Sequence, residues 1–211
     1  MGDAPPWPVP APAISTQIVV DGVADLAPAL LVDDMINTRP SAVLILLADG
    51  ANGAEVLLTR RSMTVNSHRG EVCFPGGRLD SGEDSRTAAL RETHEEVGVL
   101  PSAVTVVGEL YPIGTYVSRS WIVPIVGHIA EPLALQACTS EVDRAFWVPL
   151  HDLTQPGIFR EEWWPLFGDG RERPIYFFNV DGETVWGATA RMLHQLLRVA
   201  HRIEGDEPPA I

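Results

Sequence analysis

The chain has 211 residues and a formal net charge of −13. That length accommodates one domain with a full core plus tails. The acidic balance argues against a nucleic-acid scaffold, which presents a basic face. All fifteen cationic side chains other than histidine are arginine, and Arg60, Arg61, Arg69, Arg78, Arg86 and Arg91 cluster in one stretch. On so acidic a chain, that local positive density suits phosphate, which arginine matches bidentately. The competing use is pairing with nearby Glu and Asp. Cys73 and Cys138 form no framework of bridges and show no zinc spacing, so Cys73, flanked by apolar residues, is expected as a buried free thiol. No charged-then-apolar leader opens the chain and no apolar run reaches ~18 residues, which points to a cytoplasmic protein with no membrane partner.

In chain order, Pro5, Pro6, Pro8, Pro10 and Pro12 favour an extended, poorly ordered arm over residues 1–13. Ile14–Val20 reads as a short strand, and Leu26–Ile36 as a weak helix interrupted by Pro28. Residues 1–38 are thus an arm and appendage, and the domain spans 39–203. Ser41–Leu47 and Glu55–Arg60 read as strands around Asp49-Gly50-Ala51-Asn52-Gly53, and Glu71–Phe74 as a third. Ala103–Tyr111 and Trp121–Ile129 follow as strands, with Pro112–Tyr116 a loop between them. Phe146–Leu150 is a strand, and Asp181-Gly182 is a hairpin turn between Ile175–Val180 and Thr184–Trp186. A closing helix from Ala188 to about Ile203 buries Leu193, Leu196, Leu197 and Ala200, and residues 204–211 form a polar tail. The six tryptophans suit a core or a dimer contact, and Gln155–Arg173 a lid or an interface. A homodimer is therefore among the expectations. Mixed strands with a central and a C-terminal helix indicate an α/β/α sandwich, fold class α/β.

The most informative stretch is Gly77-Arg78-Leu79-Asp80-Ser81-Gly82-Glu83, then seven residues, then Arg91-Glu92-Thr93-His94-Glu95-Glu96-Val97-Gly98-Val99. It reads as a glycine-rich loop feeding a helix that Asp84 or Ser85 caps and Gly98 ends. Glu92, Glu95 and Glu96 stand at i, i+3 and i+4, on one face. Ala89, Leu90, Thr93 and Val97 form the neighbouring core stripe. Close carboxylates repel by a few tenths of a kcal/mol per pair. Such oxygen clusters suit hard divalent cations, and Mg²⁺ bridges carboxylates to substrate phosphates. Arg91 lies beside Glu95 and reaches back to Glu83. A lone Glu-x-x-Glu-Glu is usually a solvated face; the glycine spacing and Phe74-Pro75-Gly76-Gly77 reverse those odds.

The string resembles the Nudix box, Gly-x5-Glu-x7-Arg-Glu-U-x-Glu-Glu-x-Gly-U with U aliphatic. Gly77, Glu83, Arg91, Glu92, Glu95, Glu96, Gly98 and Val99 match, and Thr93 departs from the first U. The resemblance implies a Nudix-type sandwich with a mixed sheet and the box as loop–helix–loop. It implies a pyrophosphohydrolase using Mg²⁺ or Mn²⁺, with Glu92, Glu95, Glu96 and the Gly76 carbonyl as metal ligands. Arg91 joins the catalytic set, together with Glu95 or Glu141 as general base. His94 is read as a surface neighbour.

Leu57-Leu58-Thr59-Arg60-Arg61-Ser62 through Gly70 to Phe74-Pro75-Gly76-Gly77 is similar to the coenzyme A pyrophosphatase branch of that family. Asn66 occupies the place of the pattern's second arginine. Ser140–Leu150 and Val185–Leu193 are similar to two further segments of the branch. The branch implies cleavage of coenzyme A, or its derivatives, to 3′,5′-ADP and 4′-phosphopantetheine, with Arg60, Arg61 and Arg69 as substrate-binding candidates. Two alternatives stand beside it. One is hydrolysis of another nucleoside diphosphate derivative such as ADP-ribose. The other is a Nudix module that binds a nucleotide without hydrolysing it, against which the retained glutamates speak.

Overall fold

The computed structural model describes residues 4–26, 39–65, 67–115, 120–165 and 170–203. Its elements in chain order are α1 (Thr16–Ala24), β1 (Arg39–Gly50), β2 (Gly53–Arg61), β3 (Val72–Cys73), β4 (Gly76–Arg78) and α2 (Ser85–Val97). Then come β5 (Thr105–Glu109), β6 (Ile113–Thr115), β7 (Ser120–Ile129), β8 (Val142–Pro149), β9 (Phe159–Trp164), β10 (Arg173–Val180), β11 (Glu183–Trp186) and α3 (Gly187–Ala200).

β1 is the central strand, and its sequence says so. Ala42 and Leu44–Ala48 are all fully buried, the continuous apolar run of a strand covered on both faces. It pairs antiparallel with β2 and β4 and parallel with β7 from Arg39↔Ser120 to Ala48↔Ile129. The resulting order is β3-β2-β1-β7-β5, with β8 on β2 and β6 on β7, a mixed sheet. Side chains alternate between two cores. Ala42, Leu44, Leu46 and Leu57 meet Ala88, Ala89 and Val97 of α2 on one face. Ile45, Leu47, Val56 and Leu58 meet α1, α3 and the antiparallel sheet β11-β10-β9 on the other. This is the α/β/α sandwich expected from the sequence. Among the described residues, no helix is long and apolar enough to cross a membrane.

Several local expectations change. Ile14–Val20 is not a strand; Thr16–Ala24 is helical. Its β-branched residues suggest extension, but Thr16, Val19 and Val23 recur at helical spacing on the buried face, and Ser15 caps the start. Pro112–Tyr116 is not all loop, because Ile113–Thr115 pairs with β7. The stretch after Gln155 supplies strand β9, its outer tryptophans Trp163 and Trp164 exposed. The closing helix starts at Gly187 and ends at Ala200, and it buries the four residues expected of it. The weak helix beyond Leu26 and the tail 204–211 lie outside the described residues.

The proline-rich arm is part of the packed structure rather than an extension outside it. Trp7 is 3% exposed, with its ring 5.0 Å from Phe159 and 5.5 Å from His194. Ile14 accepts a backbone hydrogen bond from Ala54 at 2.7 Å, and the Thr16 hydroxyl donates to the Ala48 carbonyl at 3.3 Å. Core packing therefore begins well before residue 39. Prolines set an extended path, and one large aromatic side chain is enough to anchor it.

Trp7→Ala is expected to cost about 3–5 kcal/mol of stability. The reading is a lower denaturant midpoint with an unchanged slope. A change below about 0.5 kcal/mol would show that the arm does not dock in solution.

Candidate active site

The box helix forms because its ends are satisfied locally. The Asp84 carboxylate accepts the Thr87 N–H at 2.7 Å, and Gly98 closes the helix at φ 77° in the left-handed conformation. Ala88, Ala89, Thr93 and Val97 face the sheet. Thr93 is buried without penalty, since its hydroxyl donates to the Ala89 carbonyl at 2.7 Å.

Arg91 knits this helix to the loop before it. Nε and Nη2 grip both oxygens of Glu83 at 2.9 Å, and Nη2 also donates to the Arg78 carbonyl at 3.1 Å. Nη1 donates to Glu92 at 2.9 Å and to Glu95 at 3.4 Å. A guanidinium has five N–H donors, and these contacts engage all of them. Hydrogen bonds from Arg91 and from the Asp80 N–H hold the Glu83 carboxyl below the usual carboxylate range. Arg91 is in turn held more firmly protonated, chiefly by Glu83.

The three glutamates separate by environment. Glu95 is half-exposed and turned to Arg91. Glu92 lies against Gly77, where an added Cβ would stand 2.4 Å from the carboxyl carbon. A side chain at position 77 would therefore displace the Glu92 carboxylate from where it stands. Glu96 is only 6% exposed, and its carboxylate accepts the Gly76 N–H at 3.3 Å. The Gly76 amide is thereby tied to the cluster. Burial pushes the Glu96 carboxyl up to about 7, the Gly76 N–H and Arg61 pull it down, and Glu92 and Glu141 push it up.

Arg61 and Glu141 come from elsewhere to meet this cluster. Arg61 Nη2 stands 3.4 Å from Glu141 Oε2. Arg60, the next residue along the strand, points to the other face and pairs with Glu183 at 3.3 Å. It does not join Arg61 at the glutamates. Arg69 folds back on its own loop, Nε donating to the Val65 carbonyl at 2.7 Å. His94 is exposed, as expected. Asn66 lies outside the described residues.

Cys73, absent from the candidate set, lies near enough to Glu96 to feel its charge, and Thr59 adjoins Cys73. The Cys73 thiol is free and pushed up to about 11, mainly by burial, with Glu96 adding to the effect. The Thr59 hydroxyl donates to the Cys73 carbonyl at 3.2 Å. Cross-strand pairing Thr59↔Cys73 brings them together, which no local spacing announces. Cys138, the other free thiol, is exposed, and its N–H donates to the Glu96 carbonyl at 2.9 Å.

Among the described residues, no three His, Cys, Asp or Glu side chains are gathered closely enough to hold a metal ion alone. The donor chemistry nonetheless fits a hard cation. Glu92 and Glu96 are oxygen donors one turn apart, and Glu96 is a buried carboxyl that lacks a strong cationic partner. Mg²⁺ commonly keeps several waters and uses one or two carboxylates plus substrate phosphates, so a full protein cage is not required.

The NUDIX domain family model matches residues 38–167. Nudix hydrolase 3 of Caenorhabditis elegans is 36% identical over 187 residues, covering 81% of this chain and 76% of the relative. A Nudix hydrolase of Photorhabdus laumondii, NudL, whose name marks it uncharacterized, is 36% identical over 162 residues, covering 76% and 84% respectively. In fold, the chain is similar to a MutT/nudix family protein of Enterococcus faecalis, with TM-score 0.52 and 18% identity over 83% of this chain and 65% of that one. With the box, the sandwich and these relatives in agreement, the chain belongs to the Nudix family and is a pyrophosphohydrolase of nucleoside diphosphate derivatives.

Proposed function

We propose that this enzyme hydrolyses the pyrophosphate of coenzyme A, or of its derivatives, to 3′,5′-ADP and 4′-phosphopantetheine. The observation that carries the reading is the stretch Leu57–Gly77, similar to the coenzyme A branch, which delivers Arg61 to the side of Glu96. Glu92 and Glu96 would hold Mg²⁺ or Mn²⁺, with Glu95 and the Gly76 carbonyl as further ligands. When bound, such a cation would supply charge screening for the diphosphate and acidify water at the site. Arg91 positions Glu92 and Glu95 and keeps the loop closed on the helix. Arg61 binds a substrate phosphate. Glu141 is the general base; its exposed carboxylate is open to water and meets one guanidinium nitrogen of Arg61 at 3.4 Å.

Arg60 and Arg69, each with a partner of its own, contribute only if substrate draws them away. The 3′-phosphate of coenzyme A is a natural partner for Arg69, which stands exposed on the loop before β3. Asn66 in place of the branch's second arginine favours a second reading, in which another nucleoside diphosphate derivative such as ADP-ribose is the substrate. Incubation with coenzyme A, dephospho-coenzyme A and ADP-ribose, with Mg²⁺ or Mn²⁺ and identification of products, separates the two. Absence of preference for coenzyme A or its thioesters removes the first reading.

Glu96→Gln and Glu92→Gln are each expected to lower kcat by at least about 100-fold, several kcal/mol of transition-state stabilisation, with the far-UV spectrum unchanged. Normal turnover in either variant would sink that ligand assignment.

The Glu96 shift also sets a pH dependence in metal-free protein. Its folded value of about 7 lies above the ordinary 4.5, so the folded state holds a proton that the unfolded state has lost between those values. Stability from this group is full below pH 4.5 and falls as pH rises through 7, by up to about 3 kcal/mol. Denaturant midpoints at pH 5 and pH 8 should differ more in wild type than in Glu96→Gln. Mn²⁺ should stabilise wild type more at pH 8, where the carboxylate is ionised. Equal pH slopes in the two proteins would remove this account of Glu96.

A further inference from the structure

The segment that carries Glu141 is fixed to both sides of the site. On the helix side, the Cys138 N–H donates to the Glu96 carbonyl at 2.9 Å. On the strand side, the Ser62 N–H donates to the Glu141 carbonyl at 2.7 Å. Just beyond the second anchor the pairing of β2 with β8 slips: Arg60 faces Arg144, but Arg61 faces Val142, leaving Asp143 as the extra residue. Such a bulge re-aims the neighbouring side chains. Here it brings Glu141 to Arg61, two residues far apart in sequence.

The ion pair so formed is weak by construction. A single oxygen meets a single guanidinium nitrogen at 3.4 Å, and the Glu141 side chain is 61% exposed against 21% for Arg61. Solvated pairs of this kind contribute little. A phosphate can offer the same guanidinium two short parallel contacts and more charge. The fixed backbone on either side leaves the two side chains as the groups free to rearrange.

The geometry points to an exchangeable latch: the substrate diphosphate takes the Arg61 guanidinium, and the Glu141 carboxylate so released becomes the proton acceptor for the attacking water. This rests on the proposed roles of Arg61 and Glu141 and adds their coupling. In the step, the water proton passes to Glu141 and its oxygen forms a bond to one phosphorus. The bridging P–O bond breaks, and its electron pair leaves with the departing phosphate. Glu141 then returns the proton to solvent and re-pairs with Arg61. The base is thereby engaged by Arg61 until a diphosphate is present.

Binding and turnover test the latch separately, using the full chain with Mg²⁺. The binding probe is α,β-methylene ADP, followed by calorimetry. Glu141→Gln, isosteric and on the surface, should bind it about two- to fivefold tighter than wild type, because no ion pair has to open. That gain should shrink in 0.5 M salt, and Arg61→Ala should bind at least tenfold weaker. In turnover of whichever of coenzyme A, dephospho-coenzyme A or ADP-ribose the wild type cleaves best, Glu141→Gln should lose at least about 100-fold in kcat with KM unchanged or lower. Equal or weaker probe binding by Glu141→Gln overturns the latch. So does tighter binding with normal kcat, since Glu141 would then not accept the proton. If wild type cleaves none of the three compounds, the substrate reading fails, and the probe affinities alone still decide whether the pair exchanges.

Discussion

A carboxyl group held almost dry between a helix and a sheet is the constraint on which the site depends. Removing an ionised carboxylate from water costs several kcal/mol unless partners replace the lost hydration. Glu96 has one backbone N–H from Gly76 and the more distant charge of Arg61, while Glu92 and Glu141 oppose it. The carboxyl therefore sits near neutrality when no cation is at hand. The architecture keeps it there because the helix is pinned at both ends and by its apolar face. Two glycines in succession allow strand β4 to come close. A Cβ on Gly76 would meet the Ala42 carbonyl at 2.4 Å, and one on Gly77 would meet Glu92.

Arg91 divides the acidic residues of the box into two kinds. Glu83 is bound bidentately and serves the loop–helix joint; Glu92 and Glu95 each share an Nη1 contact. Glu96 lies beyond its reach. Four glutamates in one motif thus carry unequal burdens. One is structural, two are oriented by the same guanidinium, and one is left buried with little to neutralise it. An arginine is required for this, since a single ammonium cannot present donors to three carboxylates and a carbonyl in fixed directions.

What was legible in the sequence is what a few neighbouring residues decide. The helix, its Asp84 and Gly98 ends, the common face of the glutamates and the reach of Arg91 to Glu83 all follow from spacing within one loop and one helix. What was not legible depends on partners distant in sequence. Arg60 and Arg61 look alike on paper, yet strand alternation sends one to Glu183 and the other to Glu141. Thr59 and Cys73 meet only through cross-strand register. The docking of the arm is hidden from the sequence for a related reason. Proline content describes the backbone, but whether the arm docks depends on the aromatic pocket that Phe159, Phe178 and His194 build for Trp7 from later in the chain.

Charge gives the last link between fold and chemistry. A chain of net charge −13 has to admit a polyanionic substrate. Around the box, Arg91 is fully engaged, Arg60 and Arg61 are paired with carboxylates, and Arg69 is tied to a carbonyl. These four attract free diphosphate only weakly, because each contact they form with substrate displaces one already made. On the proposed reading, a divalent cation would change the sign of the local field at Glu92 and Glu96, where the protein has concentrated negative charge. On the proposed reading, metal and substrate are therefore bound as one unit, each supplying the charge that the other needs. The acidic cluster that would repel the bare substrate is then the reason it binds.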